Sequence, residues 1–252
     1  IKSHIRGLAL LSLVLVCIQG IIGALTVTMT LWPPIVTLHL LGGNLLFGVL
    51  VYLARITFNF GKLENSEKTK SGFRVYQEKK GIRFRIGLMI VVLFFIIASG
   101  GYNSSTYSGL QCEAFPGCHE GSYLSFGMSG TDLSVLTGID GKILQPAPED
   151  YQGRFLPEFR NEWIHMSHRF IAVFGGLGLI IMSWVWLKNR FGYKTINNLI
   201  VFLILFEIIV GVLNSVLRVP VPISALHTAI AATLIGLMFF ALAGNYQIKE
   251  KS

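Results

Sequence analysis

The chain has 252 residues, 52% of them hydrophobic and only 13% charged, with a formal net charge of +8 and a mean hydropathy of +0.61. Soluble domains carry about 25% charged residues, so this composition argues against a cytosolic globule. The Lys and Arg residues sit in short stretches between long apolar runs rather than on a solvated basic face, which argues against nucleic acid as a partner, and three cysteines are too few for a disulfide-rich secreted scaffold.

Crossing a hydrocarbon core of about 30 Å takes roughly 20 apolar residues as helix, because every backbone polar group must be paired inside the segment. Six stretches meet that demand: residues 7–31, 34–58, 86–107, 163–187, 196–217 and 222–245. The first is not read as a cleavable signal, since it lacks a small-residue cleavage site and runs through Trp32-Pro33-Pro34 into a second span. All eight prolines fall at span ends or in loops, where a missing N–H costs least.

Between spans two and three lie Lys62, Lys68, Lys70, Arg74, Lys79, Lys80, Arg83 and Arg85, and between spans four and five Lys188, Arg190 and Lys194. Short cytoplasmic loops retain basic residues, so these links and both termini are expected on the cytoplasmic side. The opposite side then holds two short links and one long acidic segment, residues 108–162. That segment carries Cys112 and Cys118 around Glu113-Ala114-Phe115-Pro116-Gly117. A Pro-Gly turn makes a bridge sterically feasible in a compartment that permits disulfides, with a zinc site as the alternative. Cys17 lies inside span one and is expected to pack.

The first two spans align with the last two without a gap, at an offset of 188 positions, the difference between 211 and 23 and between 227 and 39. Gly23 matches Gly211, Leu25 matches Leu213, Pro34 matches Pro222, Leu38 matches Leu226 and His39 matches His227, while Gln19 falls opposite Glu207. A duplication is the expected cause. Spans three and four would then have counterparts upstream of Ile1, implying an eight-span parent of two four-helix halves, of which this chain is either a fragment or a six-span relative that lost the first pair.

His168 lies a few residues inside span four, and His227 five residues after Pro222. At 1.5 Å per residue both imidazoles sit roughly 8 to 9 Å below the outer end of their spans. Two imidazoles at one depth on facing helices are what an iron porphyrin standing in a four-helix bundle needs, and polar residues inside spans are costly and usually functional. Packing by hydrogen bonds is the alternative. His39, the repeat-mate of His227, would mark a second pocket. His165 shares the face of His168 and reads as a propionate or substrate contact, or as a polar rim residue. Arg169 reads as a propionate partner or a snorkelling cation. Glu207, near mid-membrane, is expected to be neutral or hydrogen-bonded, with Asn214 as a candidate partner; His119 is expected in solvent.

In order along the chain, CEAFPGC, NEWIHMSHRF, FEIIVGVLNSV and PISALHTAI resemble the second half of the haem A synthase family, and QGIIGALTV with PPIVTLHLLGG resembles the last two helices of its first half. The resemblance covers essentially the whole chain. It implies an all-α membrane protein with six transmembrane helices: residues 1–60 as the last two helices of a pseudosymmetric first half, 61–85 as a basic cytoplasmic loop, and 86–252 as a four-helix haem-binding bundle with outer loop 108–162. It also implies oxidation of the C8 methyl of haem O to the formyl of haem A, with haem b ligated by His168 and His227, the substrate haem in the first half beside His39, and the Cys112/Cys118 pair linked to redox or haem delivery. The chain departs from the family by lacking the first-half loop cysteines and the E-x-x-H-R helix.

The implied partners are the lipid bilayer, haem, a haem O synthase, an electron donor and a second copy of the chain. The implied location is a bacterial plasma membrane, or else the mitochondrial inner membrane. A non-catalytic b-type cytochrome or haem carrier is the competing reading, and a solute transporter using Glu207 a further one.

Overall fold

The computed structural model describes residues 2–69, 73–76, 80–112, 114–118, 146–149, 155–188, 193–244 and 247–250. Among the described residues six helices carry the fold: α1 (Lys2–Thr28), α2 (Pro33–Thr69), α3 (Lys80–Ser105), α4 (Glu158–Leu187), α5 (Lys194–Val216) and α6 (Val221–Leu242). A 3-10 turn, Ser108–Leu110, follows α3. Two short antiparallel pairs join Phe73–Tyr76 to Gln247–Glu250 and Pro146–Glu149 to Phe155–Pro157. All six helices contain a stretch long and apolar enough to cross a membrane, and the chain is a multi-pass membrane protein.

The expected spans sit inside these helices with shifted ends. Helix α2 continues to Thr69 and α3 starts at Lys80, so most of the basic stretch 61–85 is helical rather than loop. Helix α4 begins at Glu158, five positions before the expected span, because a helix persists past the apolar run that defines its membrane portion. His119 and most of the outer segment lie outside the described residues.

Helix α3 packs on α4, α4 on α5, α5 on α6, and α6 back on α3. In this closed ring α4 and α6 face each other across the bundle. Helix α2 lies against α3 and α6, and α1 packs along α2. The ring's core holds Ile86, Met89, Leu93, Leu179, Ile200, Leu234, Ile235 and Met238. Outward positions such as Leu10, Ile21, Val91, Phe174, Phe202 and Val221 are apolar and exposed, as a surface solvated by acyl chains requires. Since lipid tails are as apolar as leucine, helix association here depends on close packing at small residues. Phe239 of α6 covers Gly48 of α2, and Phe47 of α2 covers Gly236 of α6. Gly48 and Gly236 are themselves 188 positions apart, so α2 and α6 meet through a reciprocal contact.

The repeat extends to the backbone of the two outer turns. After α1 the amide of Leu31 donates to Thr26 O at 2.7 Å, and after α5 that of Val219 donates to Asn214 O at 2.7 Å. Thr30 and Leu31 have φ of 49° and 58°, Arg218 and Val219 both 58°. None of the four is glycine, and left-handed backbone at such residues is uncommon. The same strained turn is therefore built twice.

Candidate functional site

Three histidines of the spans stand against glycines of a neighbouring helix. A β-carbon on Gly211 of α5 would lie 3.1 Å from His227 Cε1, one on Gly23 of α1 would lie 3.1 Å from His39 Cε1, and one on Gly100 of α3 would lie 2.8 Å from His168 Cε1. The missing side chains let the imidazoles lie close to the adjacent backbone. His227 and His168 are half-buried, whereas His39 is exposed. His168 stands on α4 and His227 on α6, the two helices that face each other across the α3–α6 ring.

A side chain of a neighbouring helix approaches the Nδ1 of each ring in this pair. Ser99 Oγ donates its hydrogen to Ile96 O at 2.7 Å and lies 2.9 Å from His168 Nδ1. With its one proton committed to the carbonyl, the hydroxyl accepts from His168 Nδ1–H, leaving Nε2 with a free lone pair. Glu207 Oε1 of α5 approaches His227 Nδ1 at 3.1 Å. This contact lies off the line of the N–H bond and is electrostatic rather than a well-aligned hydrogen bond; Glu207 Oε2 is buried without a hydrogen-bond partner. Asn214 is not the partner of Glu207, because its Oδ1 accepts from Ser224 Oγ at 2.8 Å.

Toward the outer end, Arg169 ties three elements together. Its Nη1 donates to the carbonyls of Ala114 (3.1 Å), Pro116 (3.2 Å) and Gly117 (2.8 Å), its Nη2 to Ser215 Oγ of α5 (2.6 Å), and its Nε to His165 Nε2 (3.2 Å). The guanidinium also stacks 5.5 Å from the centre of the Phe115 ring. The structure gives Arg169 the loop between the two cysteines as a partner. Cys112 and Cys118 face each other with Cα atoms 4.3 Å apart and sulfurs within bonding distance, and both are buried with Met166 against Phe170 of α4. His165 is only 4% exposed, and its Nδ1 has no hydrogen-bond partner. It is thus a buried residue beneath the cysteine loop, not a rim residue.

Among the described residues no three His, Cys, Asp or Glu side chains converge as a metal cluster. A porphyrin supplies four nitrogens of its own and asks the protein for only two axial donors, so the donor set fits haem better than a bare ion. Ser99, Gly100 and Ser215 escaped the sequence reading. Ser99 and Gly100 lie at the end of span three, in a run of small residues that no spacing marks out.

The sequence profile of the cytochrome oxidase assembly protein family matches residues 1–239. The chain belongs to that family. A haem A synthase of Shewanella oneidensis is 28% identical over 251 residues, covering 98% of this chain and 68% of that protein. A haem A synthase of Bacillus pumilus is 22% identical over 257 residues, covering 98% and 70% respectively. The cytochrome oxidase assembly family to which the chain belongs is thus one of haem-related oxidoreductases.

Proposed function

We propose that this chain binds haem b between His168 and His227 and serves in the conversion of haem O to haem A, by oxidation of the C8 methyl group, for terminal oxidase assembly in a bacterial plasma membrane. The observation that carries the reading is a pair of imidazoles on helices that face each other across the bundle, each approached at Nδ1 by a side chain of a neighbouring helix. When bound, the haem supplies one-electron redox chemistry. The protein's part is to hold both imidazoles, to keep water from the pocket with the apolar ring of α3 to α6, and to cover its outer end with the Cys112–Cys118 loop docked on Arg169. That cysteine pair is read as a disulfide with a redox or haem-delivery role.

His39, seated on Gly23 as His227 is on Gly211, is read as part of a second pocket for the substrate haem. A haem O synthase and an electron donor are the expected partners. The test is to express the chain in membranes lacking haem A synthase activity, supply haem O, and extract the haems. Haem A in the extract supports the catalytic reading. Low-spin haem b without haem A would favour the non-catalytic b-type cytochrome, a reading supported by the single pair of facing histidines among the described residues.

A further inference from the structure

We propose that Glu207 is a positioning residue that lowers the reduction potential of the haem held by His168 and His227; this rests on the ligand reading above. The two axial histidines are not held alike. His168 meets the hydroxyl of Ser99, a neutral acceptor, whereas His227 meets a carboxyl oxygen at 3.1 Å. A carboxyl oxygen placed against the Nδ1–H of an axial imidazole polarises that ring, makes it the stronger electron donor and favours ferric over ferrous iron.

The repeat shows how the carboxyl is directed there. Gln19, the mate of Glu207, is buried on α1 at 9% exposure, and its amide lies in the space left by Gly42 of α2. No hydrogen bond joins Gln19 to His39 among the described residues. The position equivalent to Gly42 on α6 is Ile230, itself buried at 5% exposure. A branched side chain fills the room that Gln19 uses in the first repeat, so Glu207 turns toward His227 instead. One Gly-to-Ile difference thus gives the same scaffold a ligand-directed acceptor in one repeat only.

The experiment is a spectroelectrochemical titration of the full chain purified with its haem, comparing the wild type with Glu207→Gln. Glutamine has nearly the size and shape of glutamate, so the variant preserves packing while weakening the acceptor. The expected result is a low-spin spectrum like the wild type's and an approximately tenfold higher reduced-to-oxidised ratio at a fixed solution potential, which for a one-electron couple is 59 mV. A ratio unchanged within about twofold, with full low-spin haem, overturns the proposal. If Glu207→Gln is purified without haem, Glu207→Asp, which draws the carboxyl back from His227, is judged by the same criterion. A wild-type preparation with no low-spin haem would overturn the ligand reading itself, and the role of Glu207 with it.

Discussion

His227 stands against Gly211 with its Cε1 3.1 Å from where a β-carbon on that glycine would be. The ring has almost no freedom to move toward α5, and Glu207, one turn away on the same helix, approaches its Nδ1. Gly211→Ala therefore pushes the imidazole away from its seat. The effect is expected to be larger for Gly100→Ala, where the added carbon would come within 2.8 Å of His168. We expect haem affinity to fall about tenfold or more in both variants, the usual consequence of disturbing what orients a ligand. Gly23→Ala, which touches only His39, should leave this haem in place. Haem-to-protein ratios of the purified variants check all three.

Arg169 holds the cysteine loop to the bundle through three carbonyls while also reaching Ser215 and His165. Arg169→Ala strands several acceptors at once, and a hydrogen bond to a charged group contributes about 1.5 to 3 kcal/mol. A loss of about 2 to 3 kcal/mol is expected, read as a lower midpoint of thermal unfolding in detergent. Arg169→Lys should recover only part of it, since an ammonium cannot span the carbonyls, Ser215 and His165 together.

The six spans were legible because lipid imposes long apolar runs, and the duplication because Pro, His and Gly recur at one spacing. The seats of the histidines were half legible. Gly23 and Gly211 stood out in the repeat, but Gly100 lies outside the two aligned stretches and so had no partner to betray it. Ser99 was invisible for a different reason: whether a serine bonds its own helix carbonyl or a ring on another helix depends on packing, which composition does not record. The place of Arg169 depended on how the loop between the two cysteines folds back onto α4. The ends of α2 and α4 were missed because hydropathy marks the membrane portion of a helix and not its caps.

A disulfide between Cys112 and Cys118 predicts that protein alkylated directly in the membrane, then digested without reductant, yields the two cysteine peptides linked. Two separately alkylated thiols would contradict it. A loop this short contributes on the order of 2 to 3 kcal/mol in the chain-entropy model, so Cys118→Ser should lower the unfolding midpoint without removing the haem.

The charge asymmetry predicts that both termini and the 61–85 stretch face the cytoplasm. An engineered cysteine in place of Lys62, in a background with Cys17 replaced, should react with a membrane-impermeant maleimide in inverted vesicles and not in intact cells. Labelling confined to intact cells would reverse the orientation.

The most direct test of the account is the optical and electron paramagnetic resonance spectrum of haem in purified His168→Ala and His227→Ala. Two axial imidazoles predict a low-spin wild type, and either substitution should leave five-coordinate high-spin iron or no haem, while His39→Ala leaves the spectrum of this haem nearly intact. A His168→Ala protein retaining full haem occupancy and an unchanged low-spin spectrum would contradict the assignment.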